Sequence, residues 1–208
     1  MNLLQKTGAL AADVVRAIRN HRFEPTESGG IYIPGARASI GGVFRHALCP
    51  AGSATFGPWA VDPNRVVGEG LNDLLNVYFT GSAAPAAFYL APFSGNVTPA
   101  AGWTAATFTA TATEFTGYTK STRLPWTPAA STAQSVGNTD ALAASTLTFA
   151  AGGPYNLYGN ALLTASAKGA TTGKLVAATR FATPRTNMAA GDKLALEYVF
   201  TAKDEGDA

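Results

Sequence analysis

Apolar positions along this chain change period twice. In the first segment Leu10, Val14, Ala17 and Ile18 recur at helical spacing while Arg16, Arg19 and Arg22 turn largely to another side, so a short amphipathic helix is expected over about residues 9–20. Pro25, Ser28, Gly29 and Gly30 end it as a flexible joint. A helix of that length is marginal in isolation and is expected to dock, either on its own domain or on a partner. From Ile31 the period shortens. Ile31-Tyr32-Ile33, Arg37 to Leu48 and Val66-Val67 read as strands, with Gly35, Gly41 and Gly42 at turns or bulges. The stretch from Pro50 to Pro63, rich in Gly, Pro and Ser, reads as a long loop or irregular hairpin. The clearest helix follows: Leu71, Leu74, Leu75 and Tyr78 fall at i, i+3, i+4 and i+7, and Gly81 stands just beyond as a cap.

After Gly81 the pattern is mostly that of strands. Ala87 to Ala91, Thr104 to Thr113, Thr146 to Ala150, Leu157 to Thr164 and Leu175 to Phe181 are separated by Gly, Pro, Ser and Asn. In the last and cleanest strand, Leu194, Leu196, Tyr198 and Phe200 alternate with Lys193, Ala195, Glu197 and Val199, giving one strongly apolar face. Gly191-Asp192 before it signals a turn. Strands this numerous and short, without regular helices between them, predict a mainly β fold: an antiparallel, jelly-roll-like β-sandwich with an N-terminal helical arm and one short helix near 70–79 closing an end or edge. The expected organisation is a helix and arm over residues 1–30, a single sandwich domain over 31–202 and a polar tail over 203–208.

Composition narrows the function. The chain has 208 residues, and charged residues make up 13% of them, against roughly 25% in an average soluble protein. So few charges leave little to keep free surfaces apart, which implies that other subunits cover much of the surface. Residues 1–65 hold seven Lys/Arg against four Asp/Glu, and residues 66–208 hold eight against nine. The basic segment reads equally as an arm that pairs with an acidic partner surface and as an ordinary solvated helix face. A net charge of +2 does not imply nucleic-acid binding. Lys6, Asp13 and Arg16 interrupt the start before any long apolar run, so no secretory signal is expected. No stretch approaches the ~20 apolar residues of a membrane span. Synthesis in a cytoplasm and no membrane partner are therefore expected.

The residue types that carry chemistry do not form a motif. His21 and His46 are far apart and no G-x-S-x-G elbow is present, so both are expected as surface or interface histidines. Cys49, the only cysteine, excludes an internal disulfide and reads as a small apolar filler. Gly68-Glu69-Gly70 superficially resembles a dinucleotide fingerprint, but Asp73 stands where the third glycine is needed and would repel a pyrophosphate. These glycines are expected instead to permit a sharp strand-to-helix turn. Asp62, Glu69, Asp73, Glu114 and Asp140 are scattered, with no calcium loop or zinc motif, and no metal or cofactor is expected. Trp59, Trp103 and Trp126 each lie near Pro or Gly. Packing or interface roles are expected for them ahead of sugar binding, with Leu124-Pro125-Trp126-Thr127-Pro128 an extended segment suited to a sheet edge or a neighbour.

One run carries a family likeness. Val66-Val67-Gly68-Glu69-Gly70-Leu71-Asn72-Asp73-Leu74-Leu75-Asn76-Val77 resembles the V-V-x-E-G-L-N-x-L-L-x-V core of small virion proteins of tailed bacteriophages. Phe88-Tyr89-Leu90, Gly95-Asn96-Val97-Thr98-Pro99, Ser121-Thr122-Arg123-Leu124-Pro125-Trp126, Tyr158-Gly159, Lys168-Gly169 and Gly191-Asp192-Lys193-Leu194 follow in matching order, so the resemblance covers about residues 31 to 201. It implies a capsid decoration or cement protein, which binds the outside of an icosahedral shell and braces its major capsid protein. On that reading the protein is not an enzyme, forms homodimers or homotrimers, resides on the virion and is made in the bacterial host. Leu10, Val14, Arg16, Ile18, Arg19 and Arg22 would then form the capsid-binding arm. The alternative is a phage fibre or a receptor- or glycan-binding module with the tryptophans on its binding face. A hydrolase would need paired carboxylates that the sequence does not offer.

Overall fold

The computed structural model describes residues 24–25, 31–32, 38–131 and 133–204. The expected helix over residues 9–20 lies outside them. The chain divides into two units, Met1–Ser39 with Lys203–Ala208, and Ile40–Ala202. In the first, β1 (Glu24–Pro25) pairs antiparallel with β2 (Ile31–Tyr32), Glu24 opposite Tyr32.

The second unit is a mainly β fold of antiparallel sheets. One sheet has the order β5 (Arg65–Val66), β11 (Leu175–Met188), β10 (Tyr155–Leu163), β6 (Phe88–Phe93), β7 (Leu124–Trp126). The other has the order β4 (Ala60–Pro63), β3 (Ala38–Cys49), β12 (Lys193–Asp204), β8 (Ser135–Gly137), with β9 (Thr146–Thr148) also paired to β12. The stretch before Pro63 is the irregular hairpin expected of it: β4 returns along β3 with Asp62 opposite Phe44. Leu124-Pro125-Trp126 forms a sheet edge, and the Trp126 indole N–H donates to the Tyr198 carbonyl across the sandwich at 2.9 Å. Gly42 lets β3 pass tightly beside β12, where an added Cβ would collide with the Val199 carbonyl.

Two apolar clusters explain the strand patterns. Between the sheets, Phe44, Leu147, Leu194, Leu196 and Tyr198 meet Leu90, Leu124, Leu162, Ala177 and Phe181, all fully buried or nearly so. On the far side of the first sheet, Ala91, Phe93, Ala161, Leu163, Leu175 and Ala178 pack under Trp103, Phe108 and Ala112. The central strands β10 and β11 are thus covered on both faces. Ala161-Leu162-Leu163 accordingly reads as a continuous apolar run, while β12 alternates more clearly.

The covering element is a helix where a strand was expected. Residues Ala105–Ala112 form α2, not part of a Thr104 to Thr113 strand. The alternating threonines imitate a strand, but Ala105, Phe108 and Ala112 lie on one helical face and are buried. The entry is fixed by a backbone N–H of Thr104 donating to the Thr107 hydroxyl at 3.2 Å. The fold therefore has a second helix among its described residues, after α1 (Gly68–Thr80), which matches the expected position and ends at Gly81 with φ 72°.

The loops around α2 are held by one ion pair. Arg123 is the largest fully buried side chain. Its Nε and Nη2 donate to the two carboxylate oxygens of Glu114 at 2.8 and 2.7 Å, and Nη1 and Nη2 also donate to the carbonyls of Ala165 and Ala170. Glu114 also accepts the Thr109 hydroxyl and the Gly169 N–H. Every oxygen and nitrogen of the pair is thus used, which is the condition under which burying two charges is tolerated. Replacing only the cation, Arg123→Met, strands a buried carboxylate and should cost about 3–5 kcal/mol in urea unfolding, while adding Glu114→Leu should restore a large part of the loss.

Candidate functional site

Helix α1 is built by its first turn and left apolar on its outside. The Val67 N–H donates to the Val176 carbonyl and the Gly68 N–H to the Ala101 carbonyl, which anchors the helix start. One oxygen of Glu69 accepts the backbone N–H groups of Ala105 and Leu175, both at 2.7 Å. The carboxylate therefore sits at the N-terminus of α2, where the helix dipole favours it, and ties both helices to β11. Gly70 is the buried residue of α1, and a Cβ there would collide with the Val176 backbone. Neither Gly68 nor Gly70 has a positive φ. The turn that these glycines were expected to permit is made in ordinary backbone, and what Gly70 supplies is close approach.

At 100° per residue, the contact face centred on Gly70 and Val77 stands about a quarter turn from the stripe of Leu71, Leu74, Leu75 and Tyr78. Leu71 is half-buried, but the rest of the stripe is consequently not spent on the core. Leu74 is 40% exposed, Leu75 48%, Tyr78 80% and Phe79 73%. Leu74, Val77 and Tyr78 also join Val66, Val176, Phe88 and Phe200 around a groove of about 560 Å³, whose only charged lining residue is Asp73. An amphipathic helix that turns its apolar stripe outward is the form of an interaction surface.

Several charged residues of the domain are structural ties. His46 is fully buried, not a surface or interface histidine as expected, with Nδ1 accepting from Arg185 and Nε2 facing the Asp62 carboxylate outside hydrogen-bond geometry. Arg185 Nε donates to Nδ1 at 2.8 Å, which places the ring proton on Nε2, 3.1 Å from Asp62 Oδ2. Asp62 Oδ1 accepts the Ala182 N–H, and the imidazole stacks on Phe181 at 4.0 Å. The group bridges β3 and β4 of one sheet to β11 of the other, a role invisible in a sequence that separates Phe181 and Arg185 from His46 and Asp62 by more than a hundred positions. Burial and the Arg185 charge pull the imidazole pKa down to about 4, against the opposing pull of Asp62. Cys49 is buried, the filler role expected. Tyr118 is raised above the usual phenol range by burial and by Glu114, with Lys168 over its ring at 3.7 Å.

Of the sequence-derived site residues, Leu10, Val14, Arg16, Ile18, Arg19 and Arg22 lie outside the described residues. Trp103 packs edge-on against Phe93 beneath α2, and Trp126 closes the sandwich edge. Both are buried, and only Trp59, at 37% exposure, reaches solvent appreciably. The three tryptophans therefore present no common exposed face. Among the described residues no group of three His, Cys, Asp or Glu could hold a metal ion, and no helix is long and apolar enough to cross a membrane. No protein-family model, curated protein or solved structure matches the chain.

The His46 site makes a signed prediction. The unfolded imidazole gains its proton near pH 6.5 and the folded one only near pH 4, so between these values the native state binds fewer protons than the unfolded chain. Its contribution is complete above the window and falls as pH drops through it, by up to roughly 3 kcal/mol. Urea midpoints measured above and within the window should show this slope, and His46→Phe should flatten it.

Proposed function

We propose that this chain is a non-enzymatic structural protein of a tailed-phage virion that binds the outer surface of the capsid and stabilises it. The observation that carries this reading is the outward apolar face of α1. Leu74 and Leu75 belong to the very motif that resembles phage decoration proteins, and they are exposed while Glu69 and Gly70 of the same motif hold the helix to the sheet. Exposed leucines and aromatics on a rigidly anchored helix suit contact with a protein surface of matching shape, here the major capsid protein or another copy of this chain. Binding the assembled shell but not its dissociated subunits would stabilise the shell by ~2.7 kcal/mol per site at a hundredfold excess over Kd.

The basic N-terminal segment supplies a second attachment in this reading. Deletion of residues 1–28 should leave a folded domain with weakened capsid binding.

The face itself is tested by Leu75→Asp with Phe79→Asp. Both positions are exposed, so urea stability should change little, within roughly 1 kcal/mol. Co-sedimentation with capsids stripped of the protein should be lost. Undiminished capsid binding by the folded double variant would rule out α1 as the contact.

A further inference from the structure

We propose that the cleft between β10 and the segment after β6 binds a neutral glycan through a hexopyranose unit. This inference does not depend on the capsid reading. The cleft measures about 720 Å³, inside the range of roughly 300–1,000 Å³ usual for small-ligand sites. Tyr155 and Tyr158, both half-buried, line it. Tyr155 is fixed by its hydroxyl donating to the Ala151 carbonyl at 2.8 Å and by stacking on Phe149.

Two asparagines on its rim are oriented in advance. Arg180 Nε and Nη2 both donate to Asn96 Oδ1, at 2.9 and 2.7 Å. The Asn187 N–H donates to Asn156 Oδ1 at 2.9 Å. Asn187 itself stands at φ 57° where the β10–β11 register shifts, so a bulge aims that N–H at Asn156. Because guanidinium and backbone N–H only donate, each carboxamide must turn its oxygen to them and keep its NH₂ free as a donor. Ser94, also lining the cleft, spends its proton on the Thr113 carbonyl, and the Tyr155 proton is likewise spent. Their oxygens remain as acceptors.

The cleft thus offers two fixed amide donors, two hydroxyl acceptors and tyrosine rings. Its one carboxylate, Glu114, is neutralised by Arg123, and Arg180 does not line the cleft but turns its Nε and Nη2 to Asn96. Phosphate or a dicarboxylate would require cations and has no use for the acceptors. A sugar matches: its hydroxyls both donate and accept, and its C–H face packs on an aromatic ring.

Saturation-transfer NMR on the full chain with maltotriose, chitotriose and methyl galactoside tests this. At least one probe should bind with Kd on the order of 1 mM. Asn96→Ala with Asn156→Ala should weaken that binding tenfold or more without moving the melting temperature. Tyr158→Phe should retain binding and Tyr158→Leu should lose it. No transfer from any probe at about 10 mM, or transfer undiminished in the folded double-asparagine variant, would overturn the assignment.

Discussion

A guanidinium with no solvent exposure organises the part of this domain that no sheet can organise. The segments around Glu114, Arg123 and Ala165 to Ala170 are mostly loops, and loops supply few backbone partners for one another. Arg123 provides up to five donors in a rigid fork, and it directs them to one carboxylate and two carbonyls from these segments. Glu114 extends the tie to α2 through Thr109 and to Gly169. Helix α2 covers the outer cluster of the first sheet, so this pair of charges, together with Glu69 at the other end of the helix, holds the cover over Phe93 and Leu163. Lysine could not substitute, since a single ammonium cannot span a carboxylate bidentately and reach two carbonyls as well.

The same economy shapes the β5–α1 motif. Glu69 and Gly70 work inward, one as a shared acceptor for two elements and the other as a missing side chain that lets the helix touch β11. Four residues further on, the side chains face out. A helix whose anchoring depends on backbone and one carboxylate is free to use its large apolar residues elsewhere, and α1 does so.

The sequence disclosed those features whose signal is local. The position of α1, its Gly81 cap, the alternating face of β12 and the edge role of Leu124-Pro125-Trp126 all follow from neighbouring residues, and each is present. Helix α2 was hidden because Thr104 to Thr113 carries strand-forming residues at strand spacing, and what decides is the apolar sheet waiting beneath Phe108. The stripe on α1 was legible as a stripe, but its direction was not: periodicity gives the angle between residues, not which side the close contact at Gly70 will face. His46, Asp62 and Arg185 were unreadable as a group because only the pairing of two sheets brings them together.

The low charge of the chain takes on a different meaning once these charges are located. Thirteen per cent of residues are charged, and several of those, including Arg123, Glu114 and Asp62, are buried as ties within the domain. Glu69 and Arg185 are likewise committed to internal partners. The charge left to the outside is therefore smaller than composition suggests, and repulsion between surfaces is correspondingly weak. In the same domain α1 leaves two leucines, a tyrosine and a phenylalanine exposed on one helix. Weak repulsion and a concentrated apolar face have one origin, a domain that commits much of its charge to internal ties and leaves large apolar side chains of α1 outside.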